Sequence, residues 1–556
     1  MPTVNRRVAS VGLLVGVLLV SGLLLWLGAV EDSQTADEAT YVVSGLSYWR
    51  TGDWRLNVEH PPLLKLLFGL PLVAAGVPFT PDASDWAGAS QWDIVPKALF
   101  GSAAPGHELL VSARVVNIVL TLALVLVAAI LANKTWGQRA AILAVVLVAF
   151  EPNVLANGHL ATTDIGYTLA MLSSILTFGW WLERWTWTRL VAAAAAFGLA
   201  LLTRFNAVSL IVILPLLYAI ARLTAGEQVR LSPRQAVSAI LLFAVVSFIV
   251  IWAGYGFEFR VLDQVQDQSA RQLLESLGRF GRWMQSVPLP AASYVSGFLW
   301  QIVHNQAGQP AYLFGQASQT GWWYYFPAAM LVKLTLGSLL LAALSLWVAR
   351  WRRPGSAGRV FSGWYVGTAL IGLLLLALPS RLNLGVRYVL PSIVLLMVLA
   401  AGVVRARWRW PRIGVGVVIA LTFWHVASVV RLTPTFLPYA NEAFGGPSKL
   451  YRHLIDSNLD WGQDLVRVRR YLAAHGLTDY YFRSFTTAPA AAYGLREIDI
   501  PTDDQVVTRP VTNVVVVGQS YLYYPGQRLE WLKRLKPSAT IGHATNLYDL
   551  PSPAAD

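Results

Sequence analysis

Residues 190–221 read LVAAAAAFGLALLTRFNAVSLIVILPLLYAIA, one apolar stretch interrupted only by Thr203-Arg204-Phe205-Asn206. Whether it is one membrane helix or two decides the topology of everything that follows. A single helix would invert every later connection and turn the basic segments 350–359 and 405–412 outward, against the tendency of Lys and Arg to remain cytoplasmic. Two helices keep those segments on the side of Arg6-Arg7 and bring Arg204 to the outer surface.

Apolar runs of spanning length recur on both sides of this stretch. They lie near 8–30, 111–132, 139–156, 165–182, 189–203, 206–222, 236–256, 326–349, 360–379, 389–404 and 413–432. Of the 556 residues 55% are hydrophobic and only 13% charged, so the chain reads as an α-helical polytopic membrane protein with about 11 transmembrane helices. A formal charge of +13 raises nucleic acid as a partner. The basic residues, however, fall in short clusters between apolar runs, at Lys134 to Arg139, Glu183 to Arg189, Arg222 to Arg234, Arg350 to Arg359 and Arg405 to Arg412. That is the positive-inside pattern, and no nucleic acid is expected. Membrane lipids, anionic ones among them, are the expected surroundings.

The stretch after Arg6-Arg7, Val8 to Val30, offers Leu27-Gly28-Ala29 for signal cleavage but has the length of an uncleaved first span. The expectation is a multi-pass protein of the cell membrane, with a cytoplasmic N-terminus and an extracytoplasmic C-terminus. The chain has no cysteine, which removes disulfides, a thiolate nucleophile and Cys-ligated metals.

The expected domains are a membrane part, 1–432, with long external loops at 31–110 and 257–326, and an extracytoplasmic α/β part, 433–556. In the first loop Ala39–Arg50 and Pro62–Gly76 suit helices lying along the interface. The second contains the amphipathic Asp263 to Gln285 and ends in Gly321-Trp322-Trp323-Tyr324-Tyr325, read as an interfacial anchor or a surface for stacking on a sugar. Beyond Thr433 the apolar density falls. Leu465 to His475 reads as a helix, and Asp479–Phe485, Asn513–Val517 and Ala539–Leu547 as short strands.

The first loop also holds Thr35-Ala36-Asp37-Glu38-Ala39 and Asn57-Val58-Glu59-His60-Pro61-Pro62-Leu63-Leu64-Lys65-Leu66-Leu67. Carboxylates placed there can take a proton from a hydroxyl while a phosphate leaves from the other side of the reacting carbon. Taken alone, the pair is equally a solvated flank of a helix. The pattern resembles the first external loop of the protein O-mannosyltransferase family, whose Asp-Glu pair and His-Pro-Pro-Leu match Asp37, Glu38 and His60 to Leu63. The family belongs to the C-type membrane glycosyltransferases, which take a sugar from a polyprenyl phosphate.

The resemblance implies a bacterial member with that fold. Asp37 would be the general base, and Glu38 would orient it or the acceptor. His60 and Lys65 stand near the implied donor phosphate, although a histidine before two prolines also suits a simple turn cap. Asp164, at a helix start where an acid is favoured by the macrodipole alone, matches a second acid that shapes the acceptor side in such enzymes. His159 lies in the same loop. Arg387-Tyr388 resembles the Arg-Tyr that contacts the lipid phosphate, and Arg204, an ionisable group interrupting an apolar stretch, is a second candidate for that phosphate. Glu59 receives no role, and Asp456 to Asp464 reads as a structural turn in preference to a sugar or calcium site, which its Asp, Asn and Gln with a Trp would also suit.

No Walker loop, dinucleotide fingerprint, His-Glu-x-x-His or Gly-x-Ser-x-Gly is present. No cofactor or metal is expected. The implied activity is inverting transfer of a monosaccharide, mannose-like, from a polyprenyl-phosphate sugar to a protein, lipid or glycan acceptor. Two alternatives stand beside it. One is transfer to lipid or glycan, as in the aminoarabinose transferases of lipid A, which carry Lys-Pro-Pro where this chain has His60-Pro61-Pro62. The other is a polyprenyl-sugar flippase, which leaves the Asp37 loop idle.

Overall fold

A computed structural model describes residues 2–101, 106–264, 268–349, 359–406, 408–508 and 511–550. Apart from Arg359, the basic stretch Arg350 to Arg359 lies outside the described residues. Among those described, seven helices are long and apolar enough to cross a membrane: Ser10–Glu31, Gly106–Trp136, Thr163–Glu183, Phe205–Val229, Pro233–Gly254, Val386–Arg405 and Pro411–Val430. Two bent pairs, Gln138–Ala149 with Pro152–Gly158 and Tyr325–Lys333 with Leu336–Trp347, bring the number to nine if each is one span. The remaining expected runs, the fifth and the ninth, are the shorter apolar helices Trp187–Leu201 and Gly363–Ala377.

The decisive stretch is two helices. The first of them ends at Leu201, Thr203 Oγ1 turns back onto the carbonyl of Ala200 at 2.6 Å, and Arg204 is extended at φ −150° and ψ 146° before the chain re-enters a helix at Phe205. The bent pairs have equally local causes. Glu151 caps Pro152–Gly158 by accepting from the amide of Val154 at 2.7 Å. At the other break, the amide of Ser338 donates to Thr335 Oγ1 at 3.1 Å, and the buried Lys333 ammonium donates to the carbonyls of Leu437 and Asn458, both at 2.6 Å.

The two helices expected in the first external loop form as Glu38–Thr51 and Leu63–Ala74. They cross so closely that a β-carbon on Gly45 would stand 1.8 Å from the carbonyl oxygen of Lys65, and one on Gly69 2.3 Å from the carbonyl carbon of Gly45. Only glycine at both positions allows the crossing.

The C-terminal region has a four-stranded sheet. Tyr480–Arg483 runs parallel to Val514–Gly518, which pairs antiparallel with Thr545–Tyr548, itself antiparallel to Ala539–Ile541. The third expected strand is thus a hairpin, turned at Gly542-His543, where both residues have positive φ. The expected helix spans Leu465–Ala474. Leu450, Leu454, Ile455, Leu459 and Trp461 pack into the same apolar core as the membrane helices.

Candidate active site

Asp37 and Glu38 part company at the start of their helix. Glu38 is buried and gripped by Arg114 of the second span, with Nε 2.8 Å from one carboxylate oxygen and Nη2 2.7 Å from the other. It also accepts from the amide and hydroxyl of Thr35, both at 2.9 Å, and from the amide of Ala161 at 2.8 Å. The same guanidinium donates to the carbonyls of Ala29, Asp32 and Ser33. Burial raises the Glu38 pKa, but Arg114 and the hydrogen bonds outweigh it and hold the group below the usual carboxylate value. Glu38 is therefore a clamp on the loop that begins its helix, with both oxygens engaged by the protein and none left to orient an acceptor as expected.

Asp37, about one-third exposed, opens instead onto a cavity of about 250 Å³ that is also lined by Tyr41, Glu59, Arg387, Asp456 and Trp461. Its Oδ2 stands 3.0 Å from Arg387 Nη1, and the same nitrogen is 3.6 Å from Oδ2 of the buried Asp164. Asp164, in the first turn of Thr163–Glu183, also pairs with Arg204 through its Oδ1. Both guanidiniums lie against the ring of Tyr388, at 4.9 Å for Arg204 and 5.4 Å for Arg387. Two acids and two arginines thus converge from four separate segments. Arg204 Nε and Asp164 Oδ2 are buried with no hydrogen-bond partner. Among the described residues no three His, Asp or Glu side chains form a group able to hold a metal ion.

The C-terminal region completes this wall. The Arg387 guanidinium lies 4.1 Å from the ring centroid of Trp461, its Nε donates to Ser457 Oγ at 3.2 Å, and the amide of Val386 donates to Asn458 Oδ1 at 2.9 Å. Backbone bonds stitch the Asp37 loop to the same segment, from the Ser33 amide to Gln463 O at 2.9 Å and from the Ala36 amide to Trp461 O at 3.0 Å. Beneath them Asp32 accepts from Arg467 at 2.5 Å and pairs with His159 Nε2 at 2.8 Å. Burial raises the Asp32 pKa, but Arg467, the bond with His159 and Arg114 hold it below the usual value. His159 thereby braces the loop, and its ring fills the space where a side chain on Gly28 would stand.

His60 lies beside Tyr41, with ring centroids 5.6 Å apart and planes tilted by 38°, and its Nδ1 is buried and unmatched. Burial and the nearby charges of Arg204, Lys65 and Arg387 push its pKa well below 6.5, so the imidazole is neutral. Lys65 departs from expectation. It is fully buried, and its ammonium donates to the carbonyls of Asn57 and His60, both at 2.6 Å, so it shapes the His60 loop instead of meeting a phosphate. Glu59, given no role by the sequence, lines the cavity, and burial together with the charge of Asp37 raises its pKa.

Residues 102–252 match the profile of the family described as dolichyl-phosphate-mannose-protein mannosyltransferase. That segment, about a quarter of the chain, is similar to the protein O-mannosyltransferase-like membrane glycosyltransferases. It carries Asp164, Arg204 and the Arg114 clamp. No curated protein matches the chain. Similar solved structures include apo ArnT from Cupriavidus metallidurans, 14% identical, covering 97% of this chain and 99% of that one at a TM-score of 0.49. The apo oligosaccharyltransferase of Archaeoglobus fulgidus is 13% identical over 88% of this chain and 62% of its own, with a TM-score of 0.45. The S. cerevisiae Pmt1-Pmt2 complex bound to the sugar donor is 19% identical, covers 44% and 33%, and scores 0.34.

Tyr41 and Glu59 line the cavity without having been given a role by the sequence, and Asp456, Ser457 and Trp461 stand at the site although a structural turn was the favoured reading of their segment. The one signal in that segment was its composition, a Trp among Asp, Asn and Gln, which a turn explains equally well.

Proposed function

We propose that the protein is an inverting glycosyltransferase that moves a monosaccharide, mannose-like, from a polyprenyl phosphate to an acceptor hydroxyl. Asp37 is the base. As it takes the hydroxyl proton, the acceptor oxygen bonds to the anomeric carbon, and the bond from that carbon to the phosphate oxygen breaks with its electrons leaving on the phosphate. Charge on the phosphate grows as that bond breaks, so arginines already in position stabilise the transition state more than the bound donor.

The observation that carries this reading is Arg387, held between Asp37 and Asp164 on the wall of the cavity. Arg387 is the first phosphate ligand and Arg204 the second through its unmatched Nε, both against the ring of Tyr388. Asp164 fixes both arginines. Neutral His60 offers a hydrogen bond without adding charge. Because Asp37 is paired with Arg387 here, the donor phosphate has to share or displace that contact, and the base is freed as the donor settles.

The reading places the reaction at the outer face of the cell membrane. Lys134, Arg139, Arg189, Arg222 and Arg234 all lie at the ends of their helices away from Asp37, as the positive-inside rule asks. We further propose that residues 433–556, although sequence suggested a separate domain, serve as part of the site. The test is transfer from a radiolabelled polyprenyl-phosphate mannose by purified protein in detergent. Wild type is expected to transfer label and Asp37→Asn to lose nearly all of it; equal turnover would remove Asp37 as the base.

A further inference from the structure

Beside the cavity of Asp37 lies a larger one, of about 470 Å³, and the two share Glu59, Gln91 and Trp92 in their walls. Its volume falls within the roughly 300–1,000 Å³ of small-molecule clefts. The wall chemistry is specific. Trp92 and Trp300 line it with indole rings, that of Trp300 stacked on His304 at 4.5 Å, and Asn57, Gln91 and Gln268 supply amides. Asn57 is only 3% exposed; its Nδ2 donates to Gln91 Oε1 at 2.8 Å, while its Oδ1 has no hydrogen-bond partner. The cation on this wall, Arg55, is paired with Asp53 at 2.8 Å.

A ligand suited to these walls has apolar C–H faces for the indoles and hydroxyls for the amides, which both donate and accept. It is not strongly anionic, because the arginine beside it is already paired. Nor do the walls suit an extended peptide, since none of the lining residues belongs to a β-strand whose edge a main chain could join. Neutral saccharide meets each of these conditions.

We propose that the larger cavity binds a neutral saccharide unit of the acceptor, so that the hydroxyl activated at Asp37 belongs to a glycan. This rests on the proposed transferase function, and it narrows the acceptor class. Glu59, at the junction of the two cavities, is the hinge point across which the acceptor hydroxyl reaches the base.

The probes are linear mannotriose and a Ser/Thr-rich peptide, each titrated into the full-length protein in a detergent without a sugar headgroup. Mannotriose is expected to bind without donor, and Trp300→Ala to weaken it by about tenfold. Gln268→Ala, at an exposed position less demanding of the fold, is expected to weaken it in the same direction. In transfer assays the KM for mannotriose should rise by the same factor in each variant, with kcat within about twofold. Mannotriose binding that both variants retain, or loss of peptide binding in its place, overturns the proposal. The titration needs no donor and so judges the saccharide site separately: absence of transfer to any acceptor by wild type would count against the transferase reading alone.

Discussion

Two arginine–carboxylate clusters grow from adjacent residues and differ in one respect. Around Glu38 and Arg114 the hydrogen-bonding capacity is spent on the protein itself, on loop carbonyls, on Thr35 and on Ala161. Around Asp37, Asp164, Arg204 and Arg387 it is not. Asp37 is partly open, and Arg204 Nε and Asp164 Oδ2 lack hydrogen-bond partners. Burying ions without full satisfaction is costly, so a cluster left incomplete in a cavity marks where a substrate belongs, whereas a saturated one marks scaffolding. The type and spacing of charged residues do not tell the two apart; saturation does.

Substituting each acid in turn breaks the comparison most directly. Asp37→Asn should lower kcat by about 10²–10⁴-fold, the range of a general base, and shift stability by no more than about 1 kcal/mol because its ion pair is partly exposed. Arg114→Ala should do the reverse. It strands the buried Glu38 charge at a cost of about 3–5 kcal/mol, seen as a lower thermal midpoint in detergent or as failure to accumulate. A variant at Asp37 that unfolds while one at Arg114 stays folded would abolish the distinction.

Arg387→Lys sharpens it. The charge remains, but the fork that spans Asp37, Asp164 and a phosphate is lost, so transfer should fall by about 10²-fold while the fold persists, checked by turnover beside a melting curve. The smallest effect concerns Asp460, which burial, with the charge of Asp464 nearby, pushes up to about 8, and which accepts from the amides of Gly462 and Ser520. Its folded pKa lies above the unfolded value near 3.8, so the stability its neutral form contributes is full below that value and is lost as pH rises through about 8. Asp460→Asn should cost about 1 kcal/mol for a hydrogen bond it cannot accept, and should flatten the decline in melting temperature between pH 5 and pH 9.

The helices were legible because spanning apolar runs are the strongest signal a sequence carries, and Arg204 marked its own break by interrupting one. Arg204 was legible as a candidate because a charge within an apolar stretch is expensive, whereas Asp37, Asp164 and Arg387 stood out chiefly through the resemblance of their motifs to a known family. Side-chain direction was not. Lys65 and Glu38 have the residue type of ligands, and only the close crossing at Gly45 and Gly69 and the reach of Arg114 turn them inward. Trp461 was hidden for another reason. Its partner Arg387 lies on a different element, and no local periodicity records a contact of that range.

The stitching of residues 33–36 to 461–463 has a consequence for synthesis. A membrane protein emerges N-terminus first, so Asp37, the base of the proposed reaction, is laid down long before the Trp461 indole that packs on Arg387. On the proposed reading, a nascent chain lodged in the bilayer is inert toward the lipid-linked sugars around it, and becomes competent only once translation has delivered its last fifth.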